Sequence, residues 1–344
     1  MKKQSKLLAL LLACAMTLAL SACGGNSATT STPASSAAPV ASGSAAATGD
    51  KTYTIGICQL VQHNALDAAT KGFKDALTEK LGDKVKFDEQ NAAGDSATCA
   101  TICNQFVSSN VDLIMANATP ALQAATAATN SIPILGTSVT DYGTALSIAD
   151  WKGTTGTNVT GTADLAPLDK QAEMIKTLFP DKKNVGILYC SAEPNSKYQS
   201  TEITKYLTDA GYTCKEYTFA DSNDVAAVTK TACDESDVLY VPTDNTAASC
   251  AESINNIAEP AKVPIVAGES GICTGCGVAT LSIDYYDLGV VTGNMAYEVL
   301  VNGADPATTE IQFAPKTTYQ YVPDRCEKLG VKVPSDYVAI EAEK

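Results

Sequence analysis

Positive charge and acid–base side chains are scarce in this sequence. Its 344 residues include one histidine, His63, and one arginine, Arg325, and the formal net charge is −14. The absence of a basic cluster argues against a nucleic-acid partner, because affinity for nucleic acid comes largely from lysine and arginine that neutralise phosphates. A Ser-His-Asp triad would depend on His63, which no nucleophile motif accompanies. P-loop, dinucleotide-loop and metal-ligand motifs are also missing, so the sequence favours a protein that is not an enzyme and needs no metal or other cofactor.

Only one long apolar run is present, and it lies at the amino terminus. Residues 7–20 are almost entirely apolar and follow three lysines, a pattern typical of a secretory signal and too short to span a bilayer comfortably. The run ends in Leu-Ser-Ala-Cys at residues 20–23, which resembles the bacterial lipobox, whose cysteine receives a lipid and becomes the first residue after cleavage. We therefore predict a signal peptide at residues 1–22 and a lipid anchor on Cys23 that holds the chain on the extracytoplasmic face of the cell membrane. An ordinary signal peptide with a coincidental cysteine is the alternative.

The segment that follows has almost no large apolar side chains. Residues 23–50 consist mostly of Gly, Ser, Ala, Thr, Asn and Pro, with no aromatic residue. Such a segment cannot bury enough apolar surface to offset its chain entropy, so it predicts a flexible tether. Loss of the signal peptide removes three lysines and no acid, which moves the net charge from −14 to −17. The acidic surface is consistent with a role in solubility.

Cysteine, in contrast, is abundant, with twelve in the chain. Cys14 lies in the predicted signal and Cys23 is the predicted lipid site, which leaves ten. Many of these lie in apolar segments, where a free cysteine behaves as a small apolar residue. Cys273 and Cys276 form a C-x-x-C motif that is compatible with a redox-active pair or half of a zinc site, but free or incidentally paired thiols are favoured. No second C-x-x-C lies at zinc-ribbon spacing, so a four-ligand zinc site is poorly supported, and the pairing of the cysteines stays open.

From Tyr53 onward, strand and helix patterns alternate. In the first half the strand patterns lie at 54–59, 84–88, 111–116 and 132–135, and the helical patterns at 66–77, 96–108 and 121–129. In the second half the helical patterns lie at 166–178, 194–210, 224–233, 247–258 and 286–301, and the strand patterns at 184–189, 213–217, 237–241, 263–266 and 277–283. Ser96 is expected to cap the helix at 96–108, and Pro120 to lie in the first turn of the helix that follows it. The alternation predicts an α/β protein of two Rossmann-like lobes, each with a parallel sheet flanked by helices.

Ligands of open parallel sheets bind beyond the carboxyl ends of the strands. The loops at these ends are rich in polar residues and lie at 59–64, 117–120, 138–142, 191–196, 243–246 and 269–271. Two lobes that face one another would bring the loops together around a cleft. Ordinary turn chemistry is the alternative for each loop taken alone.

A set of short motifs completes this pattern. In one-letter code these motifs are A-T-P (118–120), IPI (132–134), VTD (139–141), NVTG (158–161), EPNS (193–196), YVPTDN (240–245), DYYDLG (284–289) and LG…P (329–334). In their order and spacing they resemble the substrate-binding lipoproteins of ABC importers of the tryptophan/tyrosine type, over essentially all of residues 53–337.

The resemblance implies a type I periplasmic-binding-protein fold with a three-segment hinge. Lobe 1 would comprise residues 51–160 and 284–305, and lobe 2 residues 161–283 and 306–344. It also implies a monomer that closes on a small molecule and then docks on an ABC permease in the membrane. The ligand would be an aromatic or other apolar amino acid. A sugar or nucleoside ligand, or a sensor lipoprotein, is the alternative, and an enzyme is less favoured.

An amino acid needs partners for both of its charged groups. The residues expected at the site are Gln59, His63, Thr119, Thr140, Asp141, Glu193, Asn195, Asp244, Asn245, Glu269 and Asp284. Backbone amides at 119–120, with the hydroxyls of Thr119 and Thr140, are expected to bind the carboxylate. The ammonium group is assigned to one of the five acids in the set, with Asp284 ranked high because it lies at a predicted crossover. An aromatic side chain is expected near Leu60, Val61 or Tyr189. The alternatives are helix capping for Asn245 and a helix start for residues 193–196. For His63 the alternative is an ordinary polar loop position, and for Tyr189 a place in the core or at the rim.

Overall fold

A computed structural model describes residues 51–340 of the chain. The signal peptide predicted for residues 1–22, the lipid site at Cys23 and the tether at 23–50 lie outside these residues. Within 51–340, no helix has both the length and the apolar character that a membrane span requires. The described chain forms two sheets, each covered by helices on both faces, as the alternating pattern predicts.

The first lobe is built on a six-stranded parallel sheet. Its strands, in spatial order, are β11 (Gln312–Phe313), β5 (Val159–Ala163), β4 (Ile134–Val139), β3 (Leu113–Asn117), β1 (Tyr53–Gln59) and β2 (Val85–Asn91). Its helices are α1 (Asn64–Leu81), α2 (Ser96–Ser108), α3 (Thr119–Ala128), α4 (Tyr142–Leu146) and α11 (Tyr285–Val301), with a 3₁₀ turn at Gly82–Lys84.

The second lobe is built on a seven-stranded sheet. Its strands, in spatial order, are β13 (Val338–Ala339), β12 (Thr317–Tyr321), β10 (Ala279–Ile283), β9 (Ile265–Ala267), β8 (Val238–Val241), β6 (Asn184–Cys190) and β7 (Thr213–Phe219). Its helices are α5 (Leu168–Leu178), α6 (Pro194–Asp209), α7 (Val225–Glu235), α8 (Asn245–Ser249), α9 (Ala251–Ala261), α10 (Ser270–Cys276) and α12 (Pro323–Leu329). The sheet is parallel except for the antiparallel pair β10–β12, which the sequence pattern did not indicate.

Alternation along β1 shows how both faces of a sheet are buried. Ile55 and Ile57 enter the apolar cluster on one face, and Cys58 enters the cluster on the opposite face. All three side chains are fully buried. A strand covered on both sides has little room for polar residues, which is why the central strands appear in the sequence as continuous apolar runs.

Helix α11 follows a strand of the second lobe yet packs on α1 of the first. Two glycines allow the close approach of the two helices. A Cβ atom on Gly72 would lie 2.1 Å from the carbonyl oxygen of Tyr286, and one on Gly289 would lie 2.1 Å from that of Ala69. Both distances are far below van der Waals contact, so larger residues would force the helices apart.

The chain passes between the lobes three times, after Ala163, after Ile283 and between Phe313 and Thr317. The lobe boundaries predicted at 160/161 and 305/306 differ from this, since β5 spans the first and β11 belongs to the sheet of the first lobe. Strand β5 was not predicted because it lacks an apolar run. Its Thr162 hydroxyl is buried in a network with Thr137 (3.2 Å) and Thr292 (2.8 Å) instead.

Other differences concern helix ends. The predicted cap Ser96 lies one residue inside α2, and Asp95 caps that helix by accepting from the backbone N–H of Thr98 at 2.5 Å. The helix predicted at 247–258 is divided into α8 and α9.

Helix α10, which carries the C-x-x-C motif, was not predicted because it is short and contains two glycines. Side chains stabilise both of its ends, as Glu269 caps the start and the Arg325 guanidinium donates to carbonyl groups of residues 273, 274, 275 and 277 at the end. All ten cysteines of the described residues are free thiols.

Candidate functional site

The carboxyl ends of the strands of the two lobes meet across a cleft. His63, which follows β1, lies 3.3 Å through Nε2 from Oδ1 of Asn245, which begins α8 of the other lobe. Farther along the cleft, Nε2 of Gln199 donates to the Thr140 hydroxyl at 3.4 Å. Helices α4 and α6 also touch across the cleft. The polar loops singled out in the sequence therefore line a common space.

Four of the five acids expected to bind an ammonium group cap helices with their side chains. Asp141, Asp244, Glu269 and Asp284 accept backbone N–H groups in the first turns of α4, α8, α10 and α11. Such capping satisfies amide groups that a helix leaves without intrahelical partners. Asp284, the acid ranked high from the sequence, is also exposed to solvent. This exposure argues against the leading role expected for it.

The fifth acid, Glu193, already has a full set of hydrogen-bond donors. Its Oε1 accepts from the backbone N–H and the hydroxyl of Thr246, both at 2.8 Å. Its Oε2 accepts from the side-chain amide of Asn195 at 3.0 Å, and from the backbone N–H and the side-chain amide of Asn245 at 3.0 and 2.6 Å. A carboxylate offers about four lone-pair positions, so Glu193 has little capacity left for a ligand.

Asp164, an acid that the sequence analysis did not single out, is the best placed to bind an ammonium group. Asp164 directly follows β5, at the first passage between the lobes, and it is 3% exposed. It accepts hydrogen bonds from the hydroxyl of Thr140 at 3.1 Å and from the phenol of Tyr285 at 2.9 Å. None of the ion pairs among residues 51–340 involves it. Burial raises the pKa of Asp164 to about 6, because no cation offsets the loss of water.

Burial also raises the pKa of two capping acids. That of Glu269 rises to about 7, with a smaller contribution from the charge of Asp164. That of Asp244 rises to about 8, through burial first and the neighbouring Glu193 second. A negative charge on these buried acids is therefore costly, and a cationic group on a ligand would lower that cost.

The start of α3, unlike the acids described above, offers hydrogen-bond donors. Its N-cap residue is Ala118, so no side chain among residues 51–340 caps its amide groups. Ala118 has φ of 90°, a strained conformation for a residue with a Cβ atom. The hydroxyl of Thr119, 2% exposed, has no hydrogen-bond partner within the described chain. Free amides, a helix dipole and an unpaired hydroxyl make a favourable site for an anion.

Further buried polar atoms near these residues have no partner among residues 51–340. They are Oδ1 of Asn117 at the end of β3, Oγ of Ser138 at the end of β4 and Oδ1 of Asn195 in α6. Ser138 also has φ of 53°. Unsatisfied buried polar atoms are uncommon in proteins, so those at the ends of β3 and β4 and at the start of α6 indicate a place where a ligand supplies the missing partners.

Gln59 and Tyr189, two residues expected near the ligand, form their hydrogen bonds within a single lobe. Gln59 donates to the Asp67 carboxylate at 2.6 Å and accepts from the Thr70 hydroxyl at 2.6 Å, which satisfies both ends of its amide. Tyr189 is buried in the core of the second lobe, and its hydroxyl accepts from Lys197 at 3.2 Å. Leu60 and Val61, in contrast, line a cavity of about 220 Å³ between the lobes, together with Pro120 and Asn245 from either side.

Several residues of the cleft had little or no signal in the sequence. Asp164 follows a strand that lacks an apolar run, and Tyr285 lies next to the more prominent Asp284. Asn117 and Ser138 belong to loops that were singled out, but their unpaired atoms are visible only in three dimensions. The DYYDLG motif was the one signal that pointed to Tyr285.

The sequence is similar to known proteins over most of its length. A profile of the family described as "ABC transporter substrate binding protein" matches residues 54–344. The chain is 40% identical to a tyrosine-binding protein of Clostridioides difficile (strain R20291) over 265 residues, which are 75% of this chain and 76% of that protein. It is 33% identical to an ABC domain from Streptococcus pneumoniae solved in complex with L-Trp, with a TM-score of 0.81 over 84% of this chain and 100% of that one.

A third similar protein bears on the arrangement of the lobes. It is a substrate-binding protein with adhesive properties from Clostridium difficile, solved in a ligand-free, open form, at 36% identity and a TM-score of 0.65 over 85% of this chain and 100% of that one. In the structure described here, hydrogen bonds cross the cleft and join the two lobes.

Proposed function

Because this chain belongs to the ABC transporter substrate-binding protein family, we propose that it captures a free aromatic amino acid between its lobes and delivers it to an ABC permease. The proposal rests on the family membership, on the printed ligands of the two similar proteins and on the chemistry of the cleft. The observation that carries it is the buried Asp164 carboxylate, which has no cationic partner within the described chain.

Asp164 is our candidate for binding the ammonium group. Its pKa, raised to about 6 by burial, leaves it mostly ionised at neutral pH but without the counter-charge that a buried carboxylate needs. An α-ammonium group would provide that charge and add hydrogen bonds to those from Thr140 and Tyr285. Tyr285 begins α11, directly after the second passage between the lobes. Binding at Asp164 would therefore stabilise the hinge in its closed form.

The start of α3 is our candidate for binding the carboxylate. The amide groups of this helix and the unpaired hydroxyl of Thr119 would act as donors. The single arginine, Arg325, is bound to carbonyl groups at the end of α10 and is not needed for this role. Uncharged donors at a helix terminus bind a carboxylate well in a site from which water is excluded.

For the side chain of the ligand we propose the apolar wall formed by Leu60 and Val61. These residues line the cavity of about 220 Å³ that residues of both lobes enclose. The unpaired oxygen atoms of Asn117, Ser138 and Asn195 would accept or exchange hydrogen bonds with the polar parts of the ligand. The tyrosine-binding relative and the L-Trp complex favour an aromatic side chain over a sugar or nucleoside.

We further propose that a lipid on Cys23 holds the protein on the extracytoplasmic face of the membrane, with residues 23–50 as the tether. The protein would act as a monomer, without a cofactor and without catalysing a reaction. The tether would keep the binding domain close to its permease. The lipobox pattern and the composition of the segment support this part of the proposal.

Isothermal titration with a panel of ligands tests the proposal. We expect binding of tryptophan, tyrosine or phenylalanine, weaker binding of branched-chain amino acids, and no binding of glucose, galactose or adenosine. Failure to bind every amino acid in the panel would reject the amino-acid assignment. Chromatographic recovery of the ligand after prolonged incubation tests for catalysis, because a binding protein returns its ligand unchanged and an enzyme does not.

A further inference from the structure

We infer that His63 and Asn245 form a latch between the two lobes, oriented by Glu193, that slows release of the ligand from the closed protein. This inference rests on the proposed function for the identity of the ligand. The latch joins the residue before α1 in the first lobe to the first residue of α8 in the second, which are 182 positions apart in the sequence. It therefore exists only while the lobes are closed.

Glu193 determines which end of the Asn245 amide faces the other lobe. Both side-chain oxygens of Glu193 accept hydrogen bonds, so the Nδ2 group of Asn245, which is a donor, points toward Glu193 at 2.6 Å. The backbone N–H of Asn245 donates to the same oxygen at 3.0 Å. With Nδ2 fixed in this way, Oδ1 faces the imidazole of His63. Glu193, expected from the sequence to contact the ligand, is a positioning residue in this arrangement.

The orientation of Asn245 in turn determines the tautomer of His63. Because Oδ1 accepts, the hydrogen bond at 3.3 Å requires a proton on Nε2 of the imidazole. Nδ1 is buried without a partner among the described residues, so a second proton there would be left without an acceptor. Burial accordingly lowers the pKa of His63, although the Asn245 bond and the charges of Glu193 and Asp67 oppose this effect. The latch is thus closed by a neutral histidine that carries its proton on Nε2.

Two inter-lobe cavities flank the latch. One, of about 220 Å³, includes Leu60, Glu193 and Asn245 in its lining, and the other, of about 370 Å³, includes His63 and Gly271. Each cavity is lined by one member of the pair, Asn245 in the smaller and His63 in the larger. A single neutral hydrogen bond of 3.3 Å is weak, so we expect it to affect the rate of opening more than the folding of either lobe.

Release kinetics test the latch. His63→Ala and Asn245→Ala are each expected to increase the dissociation rate of tryptophan about 5- to 10-fold, as measured by stopped-flow fluorescence. The double variant should be no faster than the faster single variant, because both changes remove the same contact. Glu79→Ala, at an exposed position near the end of α1, is the control and should dissociate like the wild type. Unchanged rates in both single variants, or fully additive effects in the double variant, would overturn the inference.

A second measurement reads the latch directly. The chain contains one histidine, so ¹⁵N labelling of the untagged full chain gives a single pair of imidazole signals. In the tryptophan complex we expect a neutral ring protonated on Nε2, and in Asn245→Ala a mixture of tautomers. A ring protonated on Nδ1 in the wild-type complex would refute the latch. If the wild type binds no amino acid, that result contradicts the proposed function. Binding with unchanged release rates in the variants contradicts only the latch, so the two failures can be distinguished.

Discussion

Replacement of the buried acid Asp164 by asparagine should weaken ligand binding and stabilise the ligand-free protein. Asparagine keeps the shape of the side chain and an oxygen that can accept from Thr140 or Tyr285, but it removes the charge. Truncation of one partner of a buried charged pair costs about 2–5 kcal/mol, which corresponds to a loss of affinity of about 30- to 3,000-fold. We therefore expect Asp164→Asn to bind tryptophan or tyrosine at least about 30-fold more weakly than the wild type.

The same change should stabilise the ligand-free protein. Burial raises the pKa of Asp164 from 3.8 to about 6. A difference of about two pH units at 1.36 kcal/mol each means that ionisation of this group costs the folded state roughly 3 kcal/mol. Because the folded protein holds the proton more tightly than the unfolded chain, this cost develops as the pH rises from about 4 to about 6 and is complete at pH 7. The stability advantage of Asp164→Asn over the wild type should grow across the same interval.

Urea denaturation of ligand-free protein between pH 4 and pH 7, with titration calorimetry at pH 7, measures both effects. Asp284→Asn is the matched control, since Asp284 is an exposed N-cap and asparagine caps helices about equally well. It should leave affinity and stability near those of the wild type. Wild-type affinity in Asp164→Asn would remove Asp164 from the site, and the same loss in Asp284→Asn would restore the assignment made from the sequence.

Three other changes have defined outcomes. The affinity of the wild type for its ligand should fall by about tenfold per pH unit as the pH drops below about 6, because Asp164 gains its proton. A calorimetric affinity that stays constant between pH 5 and pH 8 would contradict this. Gly72→Val should lower the free energy of unfolding by about 1–3 kcal/mol or more, because its Cβ would meet Tyr286, whereas the exposed neighbour Lys71→Ala should melt like the wild type. Cys23→Ala should release the protein from isolated membranes and Cys14→Ala should not; equal membrane fractions would exclude the lipid anchor.

The helices and central strands could be predicted because their signals are local. Apolar runs such as that of β1, and the helical spacing of Leu66, Phe73 and Leu77, depend only on neighbouring residues. The elements that were missed lack such signals. Strand β5 buries threonine hydroxyls that are satisfied by distant threonines, and α10 depends on an arginine about 50 residues away in the chain. Long-range hydrogen bonds leave no periodicity in the sequence.

For the acids of the cleft, too, the local sequence does not reveal what each side chain contacts. Asp141, Asp244 and Glu269 occupy cleft-facing loops as expected, yet the structure uses their carboxylates to cap helices. An acid after a strand and before a helix is suited to both capping and ligand binding, so its position alone does not distinguish the two roles. Asp164 differs from these acids because its carboxyl group accepts from the side chains of Thr140 and Tyr285 and caps no helix.

Composition and local pattern by themselves determined the α/β class, the two-lobed organisation and the cleft-facing loops, because burial and helix spacing act over a few residues. Only the tertiary structure decided which polar atoms remain without partners, that Gly72 and Gly289 bring α11 back to the first lobe, and that His63 meets Asn245. These properties depend on residues that are far apart in the chain and close in space. The chemistry of the site is of this kind, since a carboxyl group such as Asp164 is available to a ligand only if no part of the protein has already satisfied it.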